Sequence, residues 1–311
     1  MVMSPPAIEA RGIHKTFGKR PVLTGLDLDV PAGTLLALLG PNGSGKTTTV
    51  RILTTLLRPD SGTVRVGGHD AFTEPAAVRR AIGLTAQQAS VDELLTGREN
   101  LELFAGLNHL GRRESRRRAA ELLERFRLTD AADRRAGDYS GGMRRRLDLA
   151  VSMVAEPRIL FLDEPTTGLD PRSRADLWGV IRQLVDTGTT VLLTTQYLEE
   201  ADRLADRVAI IGGGRVVEED TPEGLKHRIG TERLRVTFAR PLETSTAVAL
   251  HPGAHPDPEN SGVVVPLRGP DHLRQVLNDF HRADLSVTSV SLSAPTLDDV
   301  FFHLTDEEVA V

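Results

Sequence analysis

Apolar residues fall into two rhythms along this chain. Positions 26–30, Leu-Asp-Leu-Asp-Val, alternate with period two, as a strand with one covered face does. A further strand is predicted at 8–13, with a turn at Gly18-Lys19-Arg20-Pro21. The run at 34–39 is apolar throughout, which predicts a strand covered on both faces. A second buried strand is predicted at 158–163 and another strand at 189–195. Helical character follows at 48–57, up to the stop at Arg58-Pro59-Asp60-Ser61-Gly62. Residues 63–85 read as strand and turn. From about 92 to 136, Leu94, Leu95, Leu101, Leu103, Phe104, Leu107, Leu122, Leu123 and Phe126 fall on apolar stripes at helical spacing. Helices at 144–154, 177–185 and 199–204 and strands at 208–211 and 215–218 complete this part. The result is an α/β domain over 1–230, with a helical subdomain at about 90–155.

Beyond residue 230 the texture changes. Strands are predicted at 234–238, 263–267 and 286–292 and helices at 271–281 and 295–304. A Pro-, Gly- and Asp-rich loop lies at 251–262. Residues 231–311 read as a small C-terminal accessory α+β domain.

The strand at 34–39 runs into Gly40-Pro41-Asn42-Gly43-Ser44-Gly45-Lys46-Thr47, with Thr48 opening the helix. This is the P-loop pattern in its strand–loop–helix setting. Its glycines let backbone N–H groups approach phosphates closely, and the helix N-terminus favours an anion. Lys46 supplies a point charge to the β- and γ-phosphates of ATP, and the Thr47 hydroxyl can ligate Mg²⁺. A second apolar strand ends in Asp163-Glu164. Paired with a P-loop, it reads as the Walker B segment: Asp163 for the metal, Glu164 to orient or deprotonate the attacking water.

Tyr139-Ser140-Gly141-Gly142-Met143 stands before a helical segment. Taken alone, Ser-Gly-Gly is a common helix cap. Placed between P-loop and Walker B, it resembles the signature of ATP-binding cassette (ABC) ATPases, with its first and last positions substituted. The resemblance covers roughly residues 7–225. It implies the P-loop NTPase fold of an ABC ATPase, with an antiparallel β subdomain and an α-helical subdomain. It also implies two copies sandwiching two ATPs, each nucleotide touching the P-loop of one copy and Ser140, Gly141 and Gly142 of the other. By the same resemblance Thr167-Gly168-Leu169-Asp170 matches the D-loop, with Asp170 near nucleotide. Gln87 matches the Q-loop glutamine, a Mg²⁺ contact that faces a membrane partner, and Phe17 matches the aromatic that stacks on adenine.

One position departs from the family. Gln196 stands where a switch histidine is usual. Its amide can donate to a γ-phosphate but carries no titratable proton. Exporter ATPases of the daunorubicin/doxorubicin resistance type resemble this sequence there, and also at Ala294-Pro295-Thr296-Leu297-Asp298-Asp299-Val300-Phe301. The resemblance therefore implies an ATPase subunit that powers a separate integral membrane permease in efflux of drugs or other hydrophobic compounds, peripheral to the cytoplasmic face of the membrane. The rival classes are a soluble cassette acting on DNA or the ribosome, and a nucleotide-binding switch with slow hydrolysis.

Composition bears on these alternatives. The formal net charge of -5 argues against bulk electrostatic binding of nucleic acid. The run Arg112-Arg113-Glu114-Ser115-Arg116-Arg117-Arg118 is then best read as a solvated helix face. There is no cysteine, so neither disulfides nor thiolate zinc sites enter. No stretch reaches the roughly 20 apolar residues that span a bilayer, and residues 1–10 hold no apolar run suited to a signal peptide.

Overall fold

The computed structural model describes residues 5–85, 90–229, 232–240, 242–257, 262–267, 269–293 and 296–300. They divide into two compact units, Met1–Thr221 and Pro222–Val311.

In the first unit, β1 (Ile8–Phe17) and β2 (Arg20–Val30) form a long hairpin. β3 (Leu35–Leu39) leads to α1 (Lys46–Leu53). Then come β4 (Ser61–Val66), β5 (His69–Asp70), α2 (Pro75–Ala81) and β6 (Ile82–Thr85). Three helices follow: α3 (Gly97–Leu107), α4 (Arg112–Arg125) and α5 (Gly141–Ser152). The chain returns through β7 (Ile159–Asp163), α6 (Pro171–Asp186), β8 (Thr190–Thr195), α7 (Leu198–Leu204), β9 (Arg207–Gly212) and β10 (Arg215–Asp220).

Two sheets result. One is antiparallel, in the order β2-β1-β4-β5; the other runs β10-β9-β3-β8-β7-β6 and is parallel from β9 to β6. Every residue of β3, β7 and β8 is buried, as continuous apolar runs require. One core cluster joins the two sheets, with Ile8, Leu26, Val64 and Val66 meeting Leu36, Leu38, Phe161 and Leu192. Because β8 lies between β3 and β7, the loops leaving β3 and β7 emerge on either side of one strand end. Leu39 pairs with Thr195, and Asp163 with Thr194.

Several boundaries differ from the sequence expectation. α2 lies where strand and turn were expected; it is seven residues long and buries Val78, too little for a visible stripe. α6 starts at Pro171 rather than 177, because the Asp170 cap and a proline in the first turn set its origin while that turn stays polar. α5 starts at Gly141, so the signature glycines belong to its first turn.

The second unit opens with α8 (Pro222–Ile229), which the expected boundary at 230 placed with the first domain. It continues with β11 (Arg233–Phe238), α9 (Glu243–Leu250), β12 (His255–Pro256), β13 (Gly262–Pro266), α10 (Pro270–Arg282) and β14 (Val287–Ser293). Its sheet is antiparallel, in the order β12-β13-β11-β14. Leu234, Val236, Phe238, Val263, Val265, Val276 and Phe280 fill its own core. α9 and β12 were not legible in the sequence; of the expected helix at 295–304, residues 296–300 are described.

Candidate functional site

β3 ends in the glycine loop, which closes on the first turn of α1 with Gly45 as its N-cap. Gly45 has φ 109°, and a Cβ there would lie 2.7 Å from Leu23 Cδ2. Backbone and packing both exclude a side chain. Lys46 folds back over the loop, its Nζ donating to the Gly40 carbonyl at 2.7 Å and the Pro41 carbonyl at 3.1 Å. An ammonium has three protons, so one remains for an anion. Burial depresses the Lys46 pKa, while Glu164 and Asp163 hold it up. Ser44 Oγ is buried without a hydrogen-bond partner. Such a hydroxyl beside a helix N-terminus fits a phosphate oxygen as its missing partner.

A cavity of about 360 Å³ opens over this loop. Asn42, Gly43, Gly45, Lys46, Thr47 and Thr48 line it, together with Phe17, Arg20, Val22 and Glu164. Phe17 is 47 % exposed, so the ring is no core aromatic; it lines the cavity wall, and Lys15 Nζ lies over the ring, 5.7 Å from its centroid. Arg20 and Val22 were missed by sequence reasoning. Both sit on β2 next to the loop without any motif of their own, and only the fold shows that Arg20 adds a cation there.

Glu164 lines the cavity, whereas Asp163 is not part of its wall. Asp163 is buried, and its Oδ1 accepts from Thr194 Oγ1 at 2.5 Å and Thr47 Oγ1 at 3.3 Å. Thr47 and Asp163 therefore offer two hard oxygen ligands side by side, which suits Mg²⁺. No cluster of three or more His, Cys, Asp or Glu suited to a metal occurs among the described residues. An ion here would complete its shell from phosphates and water, as Mg²⁺ commonly does. Glu164 has φ 49°, an unfavourable backbone for a non-glycine residue. Its N–H is held by the Thr194 carbonyl and Thr194 Oγ1, both at 3.1 Å. Thr194 thus fixes both acids from the intervening strand, another residue the sequence reading passed over. Its signal was faint: a hydroxyl at the end of an apolar strand.

Ser140, Gly141, Gly142, Asp170 and Gln196 do not line that cavity. Ser140 caps α5 by accepting from Met143 N–H at 3.3 Å. Gly142 packs against α6 so closely that a Cβ would lie 2.5 Å from Ser173 Oγ, and a Cβ on Gly141 would meet Leu169. Asp170 caps α6, accepting from Ser173 N–H at 2.9 Å and Ser173 Oγ at 2.6 Å. Those bonds, the Ser173 hydroxyl first, hold its pKa below the ordinary value. Gln196 is exposed between β8 and α7. Gln87 lies outside the described residues.

The family described as ABC transporter matches residues 23–167. "Daunorubicin resistance ATP-binding protein DrrA3" of Streptomyces coeruleorubidus is 51% identical over 98% of this chain and 98% of its own length. The chain belongs to the ATP-binding subunits of ABC transporters. "Daunorubicin/doxorubicin resistance ATP-binding protein DrrA" of Streptomyces peucetius is 50% identical over 96% of this chain and 92% of its own. "Nod factor export ATP-binding protein I" of Rhizobium sp. (strain N33) is 35% identical over 99% of each. Among solved structures, a dimeric ATP-binding cassette in a post-hydrolysis state with ADP and Pi superposes with a TM-score of 0.62. It is 27% identical and covers 69% of this chain and 98% of its own.

The chain is accordingly an ATPase with the ABC cassette fold. One departure from the family pattern has a local physical account. Tyr139, where the family has Leu, is buried and donates its hydroxyl to the Ala131 carbonyl at 2.7 Å. It closes the helical subdomain against Gly97, where a Cβ would lie 2.2 Å from that hydroxyl. No helix among the described residues is long and apolar enough to cross a membrane.

Four residues past Gln196, on α7, Glu200 is fully buried. Its Oε1 accepts from Trp178 Nε1 at 2.9 Å, while Oε2 lacks a well-formed hydrogen bond. Burial raises its pKa, opposed by the Thr195 hydroxyl, the Trp178 indole and the Thr166 hydroxyl. A carboxyl whose folded pKa is raised gives full stability below its unfolded pKa and loses it as pH climbs through the folded one. Glu200→Gln, which cannot ionise, should therefore melt above the parent chain. The gap in Tm should widen as pH rises above the ordinary carboxylate range. A constant or shrinking gap in a pH series of thermal melts would contradict the assignment.

Proposed function

We propose that this chain powers export of drugs or other hydrophobic compounds by driving a separate integral membrane permease, working as an ATP-bound homodimer at the cytoplasmic face of the membrane. In this reading ATP lies along Gly40–Thr48 of one copy, with Phe17 against adenine, Lys46 on the β- and γ-phosphates and Arg20 nearby. Thr47 and Asp163 hold Mg²⁺, which neutralises developing phosphate charge; Gln87 is a further contact to the ion. Glu164 takes the proton of the attacking water or orients it. Gln196 offers a neutral donor to the γ-phosphate. Ser140, Gly141, Gly142 and Asp170 serve the nucleotide bound by the other copy.

The observation that carries the dimer is the position of the signature. Its serine and glycines sit at the start of α5 against α6, while Phe17, Lys46 and Glu164 line the cavity. A helix N-terminus with an exposed capping serine suits an anion, and this one does not line the cavity over its own P-loop. The relatives' names, with resistance to daunorubicin and export of Nod factor, support an exporter. Residues 231–311 would form an accessory domain to the cassette.

Affinity capture of the full chain from native membranes tests the reading. An integral membrane protein is expected to co-purify. Recovery with ribosomes or DNA and no integral partner would overturn it.

A further inference from the structure

One partly buried side chain on α5 touches the catalytic turn directly. Arg145 Nε donates to the Pro165 carbonyl at 2.7 Å, and the same guanidinium reaches the carbonyls of Asp163 at 3.3 Å and Glu164 at 3.2 Å. Three consecutive carbonyls thus converge on one planar fork. The left-handed φ of Glu164 is the local irregularity that accompanies this convergence. Carbonyls in a partly buried turn need partners; Thr167 N–H gives the Glu164 carbonyl one long bond at 3.4 Å, and the guanidinium reaches all three.

The guanidinium is held in turn. Arg145 pairs with Asp148 Oδ2 at 3.3 Å, one helical turn on, with side-chain exposures of 12 % and 1 %. The other Asp148 oxygen accepts from Ser90 N–H at 2.7 Å. α5 is a single 12-residue helix that carries Ser140 as its cap. One rigid rod therefore bears the signature at its start, a clamp on the turn that aims Glu164, and an anchor for the segment three residues past Gln87.

We propose that Arg145 is a positioning residue for hydrolysis, fixing the Glu164 carboxylate through the three carbonyls and tying that placement, through Asp148, to the segment at Ser90. The inference rests on Glu164 acting on the attacking water. It deepens that role: Glu164 is set in place by the helix that carries the signature as well as by its own strand.

The test uses the full chain, with steady-state ATPase rates and Mg²⁺-dependent binding of a fluorescent ATP analogue. Arg145→Lys keeps the charge and loses the planar fork. It should lower kcat by roughly 10- to 100-fold, since small misplacements of a catalytic group cost about that much. Nucleotide Kd should stay within about twofold, because Arg145 does not line the cavity. Asp148→Asn, which can still accept from Ser90 N–H, should show the same split and serves if the lysine variant fails to fold. Adding Arg145→Lys to Glu164→Gln should slow turnover no further, since the clamp acts through that carboxylate. A kcat unchanged in both single variants, losses of kcat and affinity in step, or full additivity with Glu164→Gln would each overturn the inference. Retained turnover in Glu164→Gln alone would instead defeat the reading of Glu164 on which it rests.

Discussion

Lys46→Ala should reduce kcat/KM for ATP by roughly 10²–10³-fold, the scale set by removing one preorganised donor from developing charge. Nucleotide affinity should fall with it. The ammonium is the charged group the loop itself supplies to the cavity, and its third proton is uncommitted. Its depressed pKa means that burial is working against its charge, so a bound phosphate relieves a cost already present. Gln196→Ala should cost much less, about tenfold or under, because a neutral amide contributes one ordinary hydrogen bond. Titration with a fluorescent ATP analogue and initial-rate kinetics read both effects. Lys46→Ala turning over faster than Gln196→Ala would place the charge of the site elsewhere.

Glu164→Gln should lower kcat by roughly 10²–10⁴-fold, the range for loss of a general base. ATP binding should be retained, since Lys46, Thr47 and Asp163 are untouched. The isostere keeps shape and the backbone N–H bonds to Thr194. Because ATP then persists, the closed dimer should accumulate, visible as an ATP-dependent shift to twice the mass in size-exclusion chromatography with light scattering. Turnover unchanged from the parent chain would remove Glu164 from the assigned role, whatever the oligomeric state.

How much of this was legible beforehand varied with the range of the interactions. The strand–loop–helix around Lys46 was readable because its requirements are local: an apolar strand, glycines that permit close approach, and a helix start. The Asp163-Glu164 pair followed for the same reason, an apolar run ending in two acids. Helix origins were misplaced where capping, not an apolar stripe, sets them, as at Asp170 and Ser140. α2 and α9 escaped because each is short and buries few side chains.

By itself, then, the sequence determined the glycine loop with its strand and helix, the apolar strand that ends in two acids, the Ser140-Gly141-Gly142 helix start and Gln196 after a buried strand, all carried by contiguous residues. Tertiary structure decided which distant residues serve them. It brought Arg20 to the cavity wall, set Thr194 between the two loops as a bridge to both acids, and folded Arg145 onto the carbonyls of Asp163, Glu164 and Pro165. The physical reason is strand order. β8 inserts between β3 and β7, so groups 31 residues apart in Asp163 and Thr194 share a hydrogen bond that no local pattern encodes.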